Sequence, residues 1–192
     1  MREHATEAGD IEVPDTRSLL GWELPEDEAA APSLAWLVAR LRDSRPDWRL
    51  LESLTRFDDA RYARRTLART RACELLLVCW LPGQGSPLHD HGGSWGASLL
   101  LQGELRETRF AWAGDRLRVD AKRRAGEGDL MREEPQTIHR VLNDSRHRAV
   151  SLHAYAPPME GMTSYDDVWA ESVRRRRPAV AGAGRRRRPR AG

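Results

Sequence analysis

The chain has 192 residues, 40% hydrophobic and 32% charged, with a formal net charge of +3; this length suits one domain with a real hydrophobic core. No run of about 20 apolar residues occurs, which excludes a transmembrane helix, and the polar, acidic N-terminus MREHATEAGDIEVPDT has no signal-peptide core. A soluble cytoplasmic protein without a membrane partner is expected, and two cysteines, Cys73 and Cys79, cannot staple a domain of this size.

In chain order, residues 1 to 32 read as an irregular leader rich in Asp, Glu, Ala and Pro. SLAWLVARLRDS follows with Leu34, Leu37, Val38 and Leu41 at helical spacing and Ser33 as N-cap. DWRLLESLTRF predicts a second helix capped by Asp47. The texture then changes to short runs divided by Gly, Pro and Asn-Asp: ELLLVCWLP, GASLLLQGELRETRFAW, RLRVDAKRRAG, GDLMREEP, HRVLND and RAVSLHAYAPP. Many short strands at close spacing indicate a mainly β sandwich or barrel, here behind a helical N-terminal segment, with residues 33 to 173 as the domain. Cys73 and Cys79, six apart, share a strand face and read as small core residues, while Trp80 and Trp95 are placed in the barrel wall. From Arg174 to Gly192 the tail holds nine arginines and no acid, so the first 173 residues carry −6. This tail cannot bury enough apolar surface to order itself. It could bind nucleic acid weakly through phosphates, but with 31 arginines to a single lysine a compositional bias explains it as well. No nucleic-acid partner is expected by default, and the protein is expected to be a monomer.

Three of the six histidines stand out. His89 and His91 are two apart, so on a strand they project to one face, and Gly83, Gly85, Gly92 and Gly93 flank them. His139 follows in PQTIHRVLN. No acid lies between His91 and Glu104, so the set is three histidines and no carboxylate. Three neutral imidazoles would leave a divalent metal its full +2 charge and favour anionic ligands, a thiolate among them. Ser151, His153 and Tyr155 alternate in SLHAY, and on a strand share a face; a hydroxyl, an imidazole and a phenol in register can form a relay, although the same alternation also describes an ordinary polar strand face. Tyr62 and Arg64 likewise share a face. An arginine grips a carboxylate with two prongs, yet Arg61, Arg65 and Arg69 lie alongside, as on a solvated face.

The spacing from Gly83 through His89-x-His91 to Gly103, with Pro135, His139 and Asn143 behind it, resembles the two motifs of the cupin barrels, with Thr137 where a glycine is usual and the spacing one residue short. More specifically, CWLPGQGSPLHDHGGSW, LQGELRETRF, IHRVLND and SLHAYAPP, with RYARR, resemble bacterial type I cysteine dioxygenases, in the family's order over roughly residues 33 to 170. The resemblance implies a cupin-type β-barrel, or double-stranded β-helix. It also implies non-haem Fe(II) held by His89, His91 and His139, with O2 as co-substrate and a small thiol, L-cysteine, oxidised to cysteine sulfinic acid. Arg64, with Tyr62 beside it, would hold the substrate carboxylate, and Tyr155, His153 and Ser151 would form the catalytic relay. Animal members carry a cysteine at the position of Gly96, cross-linked to the tyrosine; a glycine cannot do this, so Tyr155 should stay unmodified. An X–Pro bond at Ala156–Pro157 can be cis in the family.

Relatives that act on 3-mercaptopropionate usually carry glutamine where this chain has Arg64, which argues for cysteine. A non-catalytic metal-binding cupin and a cupin isomerase with another metal are the other readings. Imidazole ligands alone do not separate iron from other divalent metals.

Overall fold

The computed structural model describes residues 13–27 and 32–175. Its helices are α1 (Thr16–Leu20), α2 (Leu34–Asp43), α3 (Trp48–Leu54) and α4 (Asp166–Arg174). Its strands are β1 (Ala63–Arg69), β2 (Glu74–Trp80), β3 (Trp95–Gln102), β4 (Leu105–Ala113), β5 (Arg116–Ala125), β6 (Leu130–Glu133), β7 (Ile138–Leu142) and β8 (Ala149–Ala156). Two antiparallel sheets result, in the orders β1-β2-β8-β3-β6 and β5-β4-β7. The mainly β expectation is met. The long run GASLLLQGELRETRFAW divides into β3 and β4 at Gly103, whose φ of +82° a side-chain-bearing residue rarely adopts.

Both predicted N-terminal helices form with their predicted caps: Ser33 accepts from Trp36 N and Asp47 from Arg49 N and Leu50 N. They cover the outer face of the larger sheet, where Leu37, Leu41, Leu51 and Leu54 join Leu75, Leu77, Cys79, Val150, Leu152 and Ala154 in one buried cluster. The alternate residues of the same strands face inward, and Leu76, Val78 and Trp80 pack with Leu100, Leu105, Met131, Val141 and Tyr155. Covering on both sides explains why β2 and β8 are buried throughout. β8 thus turns Leu152 and Ala154 outward to the helices and Ser151, His153 and Tyr155 into the barrel.

Several expectations need correction. The leader is not irregular throughout. Thr16–Leu20 is a helix, capped by Asp15 and closed by Gly21 at φ +83°, and Leu19, Leu20, Trp22 and Leu24 enter the outer core. Its single turn is too short for a periodic signal, but SLLGWEL carries enough apolar area to be worth burying. At the other end α4 runs to Arg174, and Trp169 packs edge-on against Phe110, with ring centroids 4.8 Å apart. The arginine tail beyond residue 175 lies outside the described residues. Cys73 and Cys79 are free and buried in the outer cluster, and Trp80 is an inner wall residue, whereas Trp95 is 39% exposed. The Ala156–Pro157 bond is cis. Among the described residues no helix is long and apolar enough to cross a membrane.

If the segment around α1 is part of the cooperative core, Leu19→Ala, at a fully buried position, should lower the unfolding free energy by about 2–5 kcal/mol in urea titrations. A loss under about 1 kcal/mol would show that the segment folds separately from the barrel.

Candidate metal centre

The His89-x-His91 pair does not lie on a strand. It occupies the connection between β2 and β3, where Pro87 removes a ladder donor and Gly92 and Gly93 adopt φ of +60° and +94°. Backbone pairing holds this connection in place. Gly83 N donates to Asn143 O, Ser86 N to Val141 O, and His89 and His139 exchange both amide hydrogen bonds at 2.9 Å. A residue pair 50 apart in sequence is therefore directly cross-strand, which brings the third imidazole to the first two. Asp90, between the two histidines, anchors the loop from the other side by accepting from the Tyr165 hydroxyl (2.7 Å), Thr163 N and Gly92 N.

The three rings form a triangle with centroids 5.2, 4.8 and 4.8 Å apart, and one nitrogen from each can be chosen so that all lie within 4.8 Å of one another. Their outer partners differ. His89 Nδ1–H donates to Pro87 O at 2.9 Å, and His139 Nδ1–H donates to Glu107 Oε1 at 2.9 Å. His91 is fully buried, and neither of its ring nitrogens has a hydrogen-bond partner among the described residues. An orphaned buried polar group costs about 1–3 kcal/mol, which a metal ion bound to the ring would offset. Burial, and then the neighbouring His139, push the pKa of His89 down to about 4 and that of His91 to about 2, so both rings are neutral at physiological pH. The donor set fits a divalent metal.

The expectation of a site without a carboxylate needs amending. None lies among the three imidazoles, but Glu107 supplies one immediately behind His139. Its carboxyl is buried and pKa-lowered: burial acts to raise it, and the hydrogen bond from His139, then the charges of His139 and Arg109, outweigh that. Glu133, also buried, is instead pushed upward by desolvation. Neither was singled out in the sequence. The available signal was the alternation that puts Glu107 in phase with Leu105, and Glu133 with Met131, on buried faces.

The inward side of β8 carries a continuous chain. Trp80 Nε1 donates to Ser151 Oγ (3.0 Å), Ser151 Oγ lies 2.8 Å from His153 Nε2, and His153 Nδ1 lies 3.1 Å from the Tyr155 hydroxyl. Burial, and then the charge of Arg64, hold the His153 pKa down to about 3, so the ring carries one proton. An indole N–H can only donate. With Ser151 donating onward to Nε2, Nδ1–H points to Tyr155 and no hydrogen lacks an acceptor; the opposite tautomer leaves the Ser151 proton without one among the described residues. The Tyr155 O–H is then free to donate into the pocket, and burial, followed by Glu133, raises its pKa well above the ordinary phenol value. Trp80 is a member of this chain that sequence reasoning placed only as a wall.

One pocket joins these parts. Tyr62, Arg64, His89, His139, His153 and Tyr155 line it, with Leu76, Val78, Val141, Met159 and Met162 as apolar walls. Tyr62 stacks on Trp80 with centroids 4.6 Å apart and planes 17° from parallel. Arg64 is exposed and makes no ion pair among the described residues.

The sequence profile of cysteine dioxygenase type I matches residues 23–168. The chain belongs to that family. The cysteine dioxygenase type 1 of Danio rerio is 34% identical over 140 residues, covering 68% of this chain and 67% of the relative. That of Homo sapiens is 34% identical over 120 residues, 58% of each chain, and that of Rattus norvegicus 31% identical over 148 residues, 73% and 72%. A Klebsiella pneumoniae protein with a double-stranded β-helix domain superposes with a TM-score of 0.52 at 16% identity, over 59% of this chain and 92% of that one, so the two share the fold. Cysteine dioxygenase membership makes the protein an oxidoreductase of the dioxygenase class and implies a metal cofactor. Gly96 stands beside Tyr155: a Cβ there would lie 2.7 Å from Tyr155 Cε1 and 2.7 Å from Glu133 Oε2.

The neutral buried imidazoles set a pH dependence. In the unfolded chain His89, His91 and His153 titrate near 6.5, but in the folded metal-free protein only at about 4, 2 and 3. Below pH 6.5 the unfolded state therefore binds more protons, so stability is full above that pH and is lost as the pH falls towards the folded values. Each imidazole contributes a slope of up to about 1.4 kcal/mol per pH unit. Denaturant titrations of the metal-free protein at pH 7.5, 6 and 5 should show this fall, and a flat profile would contradict the assignment of three buried neutral rings.

Proposed function

We propose that the protein is an Fe(II)-dependent dioxygenase that adds both atoms of O2 to the sulfur of L-cysteine, giving cysteine sulfinic acid. The observation that carries this reading is the shared pocket: His89 and His139, two of the three converging imidazoles, line it together with Arg64, which makes no ion pair among the described residues. A zwitterionic amino acid with a thiol presents two anionic groups when its sulfur is deprotonated, and a pocket with a metal and a guanidinium matches both. Fe(II) at His89, His91 and His139 would hold the thiol as thiolate and supply the electrons that activate O2.

The remaining roles belong to the chain itself. Arg64 takes the substrate carboxylate in a two-pronged grip, and Tyr62, fixed by its stack on Trp80, flanks it. Tyr155 donates its phenolic proton to the bound substrate side, and Ser151 and His153 hold that proton's direction from behind. Leu76, Val78, Val141 and Met159 exclude water, which strengthens each of these interactions. Overall, the thiol S–H bond is lost, two S–O bonds form from one O2, and the sulfinate keeps the thiol's proton equivalent, so no external reductant is consumed.

Oxygen uptake by anaerobically Fe(II)-loaded protein, with the product identified by mass, should couple to cysteine sulfinate. Arg64→Ala should raise KM for cysteine at least about tenfold, the loss of a charge-assisted carboxylate contact, with a smaller change in kcat. Turnover of 3-mercaptopropionate alone, or an unchanged KM, would overturn the substrate assignment; iron binding without sulfinate from either thiol would overturn the enzymatic one.

A further inference from the structure

We propose that Glu107 is a positioning residue of the metal centre, whose carboxylate orients His139 and supplies the negative charge that the three-histidine ligand set lacks. The inference rests on the proposed role of His89, His91 and His139 as metal ligands. The three imidazoles are backed unequally: His89 by a neutral carbonyl, His91 by no partner among the described residues, and His139 by an ionised carboxylate. A carboxylate that accepts Nδ1–H fixes the ring so that Nε2 carries the lone pair, and makes that nitrogen the stronger donor. His139 and Glu107 are both buried, with side-chain exposures of 3% and 0%, so the interaction is little screened.

Glu107 is itself held across the barrel. Arg109 Nε donates to the same Oε1 at 3.0 Å, and Arg123 Nε stands 3.7 Å from Oε2. The same two guanidiniums reach β6 through Arg109 Nη2 to Arg132 O and Arg123 Nη2 to Leu130 O. They fasten the edge of one sheet to the other and fix the carboxylate, but they also draw on its charge. Removing Glu107 and removing Arg109 therefore act on the metal with opposite sign. A merely structural cluster would respond to both in the same direction.

The experiment is Fe(II) competition against a chromophoric chelator under anaerobic conditions, on full-length wild type, Glu107→Gln, Arg109→Gln and His139→Ala. Glu107→Gln keeps shape and an acceptor but drops the charge, and should bind one iron per chain at least about tenfold more weakly. Arg109→Gln, which leaves the carboxylate with less competition, should bind at least as tightly as wild type. It still tests the proposal if Glu107→Gln does not fold. Affinity of Glu107→Gln within twofold of wild type, or a tenfold loss in Arg109→Gln, would overturn the proposal. His139→Ala should lose binding altogether. If it does not, the three-histidine site itself is wrong, a failure distinct from that of Glu107.

Discussion

The two backbone hydrogen bonds between His89 and His139 are the constraint on which the site depends. A loop broken by Pro87, Gly92 and Gly93 cannot keep a strand ladder, and without an outside partner its two histidines would sample many orientations. Pairing with β7 gives the loop one conformation and simultaneously sets the third imidazole across from the first. Because β7 pairs in turn with β4, placing Arg109 opposite His139 and Glu107 opposite Val141, the same ladder brings the buried carboxylate behind the ring. The loop is also fastened from the C-terminal side through Asp90 and Tyr165, and α4 joins in through Asp166, whose Oδ1 accepts from Leu88 N.

The barrel and the site are linked through the inward face of the larger sheet. β2 and β8 divide their residues between two cores: the outward set packs on the helices, and the inward set forms the pocket. That division lets a strand buried throughout carry Ser151, His153 and Tyr155 without orphaned polar atoms, since each finds its partner on the same face and Trp80 closes the end of the chain. The inner surface is thus walled by apolar side chains, carries buried imidazoles, and has Arg64, which makes no ion pair among the described residues, on its lining. In the proposed function such a pocket would discriminate by charge, taking an anionic sulfur and an anionic carboxylate on one small molecule.

Much of this was legible in the residues because it is periodic or local. Ser33 and Asp47 are N-caps recognisable from position, and the two-residue period of SLHAY assigns its three polar side chains to one face. The close approach of His139 to His89 was legible only through the resemblance, because a contact between residues 50 apart has no local signature. Glu107 was hidden for a different reason. It stands among Glu104, Arg106 and Arg109 and reads as part of a charged face, and an irregularity in β4 between Arg109 and Phe110 breaks the alternation that would have marked it as inward. The helix at Thr16–Leu20 escaped because one turn has no period, and α4 because its charged residues, Asp166, Asp167, Glu171 and Arg174, are as many as its apolar ones.

In the proposed reaction, substrate sulfur and three imidazoles would meet at one iron. Iron K-edge X-ray absorption on the anaerobic Fe(II)-loaded protein, before and after L-cysteine, tests it most directly. A shell of light atoms with imidazole scattering is expected before addition, and a sulfur scatterer in that shell afterwards. A spectrum that L-cysteine leaves unchanged would contradict it.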